Sequence, residues 1–223
     1  MKHARALPLS FVRRFRGWKA TEFENNRSWY QHLQTEGQRP RAFVISCCDS
    51  RVNVTSLFEA DAGEFFIHRN IANLVPAHQP DGEHHGTSAA LEYAVTVLRV
   101  PHLLVIGHAS CGGVAGCFDM CRGAAPELEE RTNYLGRWLD LLRPAYDRVA
   151  RNVPIEEAAA FRAALEKEGV LVSLENLMSF PFVAEAVVAE RLSLHGLWID
   201  IGSGRLEYYD GGEGRFREVT LPT

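Results

Sequence analysis

The chain has 223 residues, 46% of them hydrophobic and 23% charged, with a formal net charge of -4. That is enough apolar chain to bury a core in one large domain or two small ones, and the mild acidity argues against nucleic acid as the main partner. No apolar run approaches the roughly eighteen residues of a membrane helix, Arg13, Arg14 and Arg16 interrupt any secretory hydrophobic stretch near the start, and five cysteines, an odd number in a chain this long, read as reduced thiols of a cytoplasmic protein that works away from membranes.

Residues 11–33 read as helix, with Phe15, Trp18, Phe23, Trp29, Tyr30 and Leu33 forming a broad aromatic surface between polar positions. Two uses of that surface stay open: packing on the helix's own core, or covering a partner subunit, since aromatics are enriched in interface cores. After a turn at Gly37-Gln38-Arg39-Pro40, residues 42–46 run apolar, the pattern of a strand buried on both faces. The box Ser46-Cys47-Cys48-Asp49-Ser50-Arg51-Val52 begins where that strand ends. A short strand at 64–68 leads through Arg69 to Leu74 into a loop carrying Pro80 and Gly82.

Gly86 opens a helix with Thr87 or Ser88 as N-cap, and Leu91, Ala94, Val95 and Leu98 form its core stripe. Residues 103–106 are another continuous apolar strand, followed at once by Gly107-His108-Ala109-Ser110-Cys111-Gly112-Gly113. Helices are expected at 127–150, 155–166, 170–178 and 182–190, then a strand at 194–201 turned by Gly202-Ser203-Gly204 into a partner at 205–209. The fold class is α/β: a mainly parallel central sheet flanked by helices, with a C-terminal hairpin strand and an N-terminal helical arm. The arm is residues 1–35 and the catalytic part 36–223, one domain overall. In a parallel sheet both boxes lie beyond the carboxyl ends of their strands, so they meet at one edge.

Together the boxes supply two thiolates and an imidazole. Zinc takes thiolate sulfur and imidazole nitrogen in a tetrahedron, and three protein ligands with one open position mark a catalytic site. The expected ligands are Cys47, His108 and Cys111, for one Zn2+ per chain. The competing reading of the two cysteines is as small buried hydrophobes. Cys48 points away from Cys47 if the strand pleat continues. Cys117 and Cys121 share a helical face, where burial is the simpler account.

Asp49 and Arg51 lie on one side of a short extended stretch, close enough to pair, and a carboxylate beside a guanidinium stays ionised. Such a carboxylate can orient a water whose pKa zinc lowers to about 7. An ordinary structural ion pair is the competing reading, and whether Asp49 binds Arg51 or the metal stays open. The amides of Gly112 and Gly113 can donate to a small anion at the start of a helix, or the glycines simply permit a tight turn.

Cys-x-Asp-Ser-Arg followed by Gly-His-x-x-Cys-Gly-Gly resembles the β-class carbonic anhydrases. The likeness runs from Phe15 to Phe216 and includes Gly37-Gln38-Arg39-Pro40, the stretch from His68 to Asn73, Ser173-Leu174-Glu175-Asn176-Leu177 and Leu194-His195-Gly196-Leu197-Trp198. The resemblance implies reversible hydration of carbon dioxide to bicarbonate and a proton by zinc-bound hydroxide, at an active site on a dimer interface. It implies metal ligands Cys47, His108 and Cys111 and a catalytic dyad of Asp49 and Arg51. It also implies substrate-binding roles for Gln38, Phe66, Tyr93 and the Gly112 amide, and a homodimer or dimer of dimers whose arm embraces the partner. Val44 and Ser46 depart from the Trp and Gly that mark a second, regulatory bicarbonate site in some bacterial members. Two alternatives use the same residues: a related hydrolase of carbon disulfide or carbonyl sulfide, and a non-catalytic zinc or redox-sensing module.

Overall fold

The computed structural model describes residues 4–82 and 85–220, and the chain divides into two units after Arg39. In the first unit the single helix expected at 11–33 is broken. Helix α1 (Leu9–Trp18) runs into a π-helical turn at Lys19–Phe23, and α2 (Arg27–Glu36) follows. Asn26 leaves helical geometry (φ -114) and its Nδ2 donates to the Glu22 carbonyl at 3.1 Å. The break lets Trp18, Phe23 and Tyr30 pack on one another, with centroids 5.5–5.9 Å apart. Neither helix has a buried residue, and Leu9 and Phe11 are 71% and 60% exposed.

The second unit is built on a six-stranded sheet in the order β2-β1-β3-β4-β5-β6. Strands β1 (Ala42–Cys47), β2 (Phe65–Asn70), β3 (His102–His108) and β4 (Ser193–Asp200) are parallel, while β5 (Arg205–Asp210) and β6 (Arg215–Glu218) continue it antiparallel. The mainly parallel α/β architecture is the one the alternation of apolar runs and helical stripes implies. Side-chain alternation explains the apolar runs: Phe43, Ile45, Leu103 and Val105 enter one buried cluster, and Val44 and Ile106 another. Strand β6 escapes sequence reading because Arg215-Phe216-Arg217-Glu218 offers only one apolar residue, Phe216, which packs on Tyr209 at 5.5 Å.

After the first box comes α3 (Val54–Leu57), and between β2 and β3 lies α4 (His85–Glu92) with a π-helical turn at Tyr93–Val97. Leu91, Ala94 and Val95 are buried as their spacing requires. Thr87 is not an N-cap: it sits inside the first turn, is buried, and its Oγ1 lies 3.1 Å from His68 Nε2.

Helix α5 (Gly112–Cys121) starts directly after β3. The helix expected at 127–150 is three short ones, α6 (Pro126–Glu130), α7 (Leu135–Leu139) and α8 (Arg143–Val149). Thr132 Oγ1 donates to the Leu128 carbonyl at 2.6 Å and accepts from Gly136 N–H at 2.9 Å, which ends one helix and caps the next. Conversely, the two helices expected at 155–166 and 170–178 are one, α9 (Ala158–Leu177), followed by α10 (Pro181–Val188).

Helix α9 lies close on the sheet at two glycines. A Cβ on Gly107 would stand 2.7 Å from Val170 Cγ2, and one on Gly196 2.8 Å from Leu174 Cδ1. That approach carries the first half of α9 up to the strand end bearing His108. Among the described residues no single helix is long and apolar enough to cross a membrane.

Candidate metal centre

Register brings the two boxes together. Ser46 pairs with Ile106, so Cys47, the last residue of β1, lies beside the end of β3 where His108 sits. Cys111 is the N-cap residue of α5. The ligand atoms of Cys47, His108 and Cys111 lie within 4.8 Å of one another, and all three residues are buried. The sulfurs of Cys47 and Cys111 are 3.9 Å apart.

The donor set fits a metal ion. His108 is fully buried, and its Nδ1 is 3.0 Å from the Ala109 carbonyl, to which it donates as Nδ1–H. The lone pair is then on Nε2, a buried atom with no hydrogen-bond partner. An orphaned imidazole nitrogen facing two buried sulfurs is costly unless a cation takes its lone pair. Either sulfur can donate to the other, and the contact lowers the Cys47 thiol against its burial. The same contact and burial push the Cys111 thiol up. Burial opposes charge on His108, but the Cys47 thiolate outweighs it and raises the imidazole.

The dyad forms as its spacing implies. Arg51 Nε donates to Asp49 Oδ1 at 2.9 Å, and its terminal nitrogen to Oδ2 at 2.6 Å. These bonds hold the Asp49 carboxyl well below the usual range. Asp49 Oδ2 is 3.9 Å from His108 Nε2, so the dyad borders the cluster. The same guanidinium donates to the Ser110 carbonyl at 3.0 Å and ties the two boxes together.

Of the two glycines, Gly113 is steric: a Cβ there would stand 2.9 Å from Ile71 Cγ2. A Cβ on Gly112 would meet nothing within 4 Å, so packing leaves the space beside the Gly112 backbone open. Phe66 and Tyr93 contact each other, ring centroids 5.7 Å apart, but Phe66 pairs with Phe43, four residues before Cys47. Within one chain they are therefore not brought against the cluster. Gln38 belongs to the first unit and is exposed.

Cys48 is exposed and turned from the cluster, lining an open cavity of about 670 Å³ with His68, Thr87, Tyr134 and Trp138. Cys117 is buried and Cys121 half-buried, their sulfurs 3.9 Å apart on α5.

Two residues at the site were assigned no role from sequence. Arg69 donates to the carbonyls of Cys47 (2.9 Å), Asp49 (2.7 Å) and Val52 (3.0 Å), pinning the first box. Its place in the His68–Asn73 stretch was a signal without a mechanism. Glu166 of α9 is 6% exposed, and its Oε1 accepts from Cys111 N–H at 3.2 Å. Burial raises its carboxyl, opposed by the Cys111 amide and the Trp198 indole.

A family description, carbonic anhydrase, matches residues 42–206. The chain belongs to the β-carbonic anhydrase family. As a member it is an enzyme, a carbonate dehydratase. It is 36% identical over 196 residues to β-carbonic anhydrase 3 of Arabidopsis thaliana, an alignment spanning 88% of this chain and 74% of that one. Its structure is similar to the β-carbonic anhydrase CcaA, with TM-score 0.87 and 26% identity over 96% of this chain and 92% of that one. A tetrameric β-carbonic anhydrase from Sordaria macrospora matches with TM-score 0.76 and 27% identity, over 93% and 97% of the two chains.

Proposed function

We infer that this β-carbonic anhydrase hydrates carbon dioxide reversibly, releasing bicarbonate and a proton, with one zinc ion per chain held by Cys47, His108 and Cys111. The observation that carries the reading is the orphaned Nε2 of His108 beside two buried sulfurs, with an Arg-held carboxylate 3.9 Å away. Bound there, zinc supplies a Lewis acid that brings the pKa of a water to about 7.

The chain's own residues do the rest. Arg51 keeps Asp49 ionised and aimed, so Oδ2 accepts the hydrogen bond of the reacting water and turns the oxygen lone pair toward carbon. Water adds to carbon dioxide, one carbon–oxygen double bond becomes single, and the proton leaves for solvent or buffer. The Gly112 amide donates to the oxygen that gains charge. Phe66 and Tyr93, remote from their own cluster, suit an apolar wall supplied across a dimer interface, and the exposed aromatics of the arm suit the same partner. Gln38 is assigned to substrate on the family resemblance. The free thiols suit a reducing compartment, the cytoplasm.

Assaying carbon dioxide, carbonyl sulfide and carbon disulfide on one zinc-loaded preparation tests the substrate. Hydration of carbon dioxide should dominate; turnover of a sulfur analogue with none of carbon dioxide would sink the assignment.

A further inference from the structure

We propose that Glu166 is a positioning residue for the metal centre, holding the ligand Cys111 in place through its backbone amide; the proposal rests on the metal-site reading above. Glu166 is more than nine-tenths buried, and among the described residues it has no cationic partner. Its neighbour Lys167 pairs with Glu207 instead. A buried carboxylate without a cation is retained only where hydrogen-bond donors satisfy it.

Here both oxygens face donors. Oε1 accepts from Cys111 N–H and Oε2 from Trp198 Nε1–H, each at 3.2 Å, and the Ser110 backbone adds a further favourable interaction. Trp198 is fixed in turn: it is 5% exposed in β4, and the Lys167 ammonium lies 4.6 Å over its ring. The anchor is therefore rigid from β4 through Trp198 and Glu166 to Cys111.

What it anchors is a strained turn. Ser110 has φ 57, in the left-handed region that disfavours a residue with a side chain. Such a turn persists only when its surroundings over-determine it. Three other bonds contribute: Ala109 N–H to the Ile199 carbonyl (2.9 Å), Arg51 to the Ser110 carbonyl (3.0 Å) and Ala115 N–H to the Cys111 carbonyl (3.0 Å). Of these four attachments, Glu166 holds the amide of the ligand residue itself. The Cys111 Cβ leaves the same Cα as that amide, so a shift of the amide moves the sulfur away from Cys47 and His108.

The donors also explain why the residue is Glu. Each oxygen must accept, and a glutamine has only one accepting oxygen, so its NH2 group would face an N–H. Glu166→Gln is thus nearly isosteric but mismatched at one end.

The test is chelator competition for zinc on protein shown folded by circular dichroism, with visible spectra of the cobalt-substituted forms. Wild type should bind one zinc tightly. Glu166→Gln and Glu166→Ala should bind it about 10- to 100-fold more weakly, the range for outer ligand supports, and the cobalt spectrum should change shape. Losses under about threefold with an unchanged cobalt spectrum would overturn the proposal. If neither variant folds, Glu166→Asp, which keeps the charge but withdraws it by one methylene, decides by the same threshold. Wild type that binds no zinc overturns the metal-site reading and this proposal with it. Tight zinc in both wild type and Glu166→Gln overturns this proposal alone.

Discussion

Arg51 grips Asp49 through two parallel hydrogen bonds, 2.9 and 2.6 Å long, two residues away along an exposed turn. Paired geometry of this kind is specific to a guanidinium meeting a carboxylate. It decides what Asp49 does, because the same carboxylate has Oδ2 only 3.9 Å from His108 Nε2. Arg51→Ala frees Asp49 to turn onto the cluster and close it. Carbon dioxide hydration should fall on the order of a hundredfold, while zinc content stays at wild-type level. Full activity in Arg51→Ala across the pH range would make the pair merely structural.

The cysteines should separate cleanly. Cys111→Ser removes a buried sulfur within 4.8 Å of the other two donor atoms and should lose most of its zinc. Cys117→Ser and Cys121→Ser alter a pair on α5 outside that cluster and should keep it. Metal analysis after gel filtration reads both, and full zinc occupancy in Cys111→Ser contradicts the ligand set.

The arm makes a prediction about assembly. Phe11 and Phe15 are 60% and 57% exposed on α1, an apolar surface that a second copy can cover. The chain should sediment as a dimer or a multiple of one. Leu9→Asp combined with Phe11→Asp, which spares the Phe15 ring that packs on Trp18 at 6.0 Å, should shift it toward monomer without unfolding the arm's own Trp18–Phe23–Tyr30 cluster. A fully active wild-type monomer at assay concentrations would refute the shared-site account.

Below neutral pH, His68 should weaken the fold. Burial lowers its pKa in the folded chain. The unfolded chain, with an imidazole near 6.5, then takes up the proton first as pH falls. Stability from this residue is therefore complete above about 6.5 and lost as pH drops toward the lower folded value. His68→Gln should flatten the decline in melting temperature between pH 7 and 5.5. An unchanged slope means the ring titrates alike in both states.

Much of this is legible in the sequence, and what is not has physical causes. Strands β1 and β3 showed as unbroken apolar runs because helices cover both faces of a parallel sheet. The Cys47–His108–Cys111 cluster and the Asp49–Arg51 pair were legible because the zinc chemistry they suggest restricts residue type and spacing. Where the sequence reads as two helices, at 155–166 and 170–178, α9 runs unbroken through Gly169. The reason for that glycine is a close approach, since a Cβ there would stand 2.7 Å from Leu142 Cδ2. The stretch 127–150 was joined because the side-chain bonds of Thr132 leave no trace in hydrophobic periodicity. Glu166 hid among Glu166-Lys167-Glu168, although it shares a helical stripe with Val170, Ser173 and Leu177. A lone carboxylate on an apolar stripe was the available signal.

The central claim is that zinc in the Cys47–His108–Cys111 cluster makes this chain a carbon dioxide hydratase. Its most direct test is to strip the metal with a chelator, restore zinc in steps, and measure bound zinc and stopped-flow hydration on each sample. The account predicts activity rising in proportion to zinc and saturating at one ion per chain, with Cys111→Ser showing neither. Full hydration by metal-free protein, or one zinc per chain with no hydration, would contradict it.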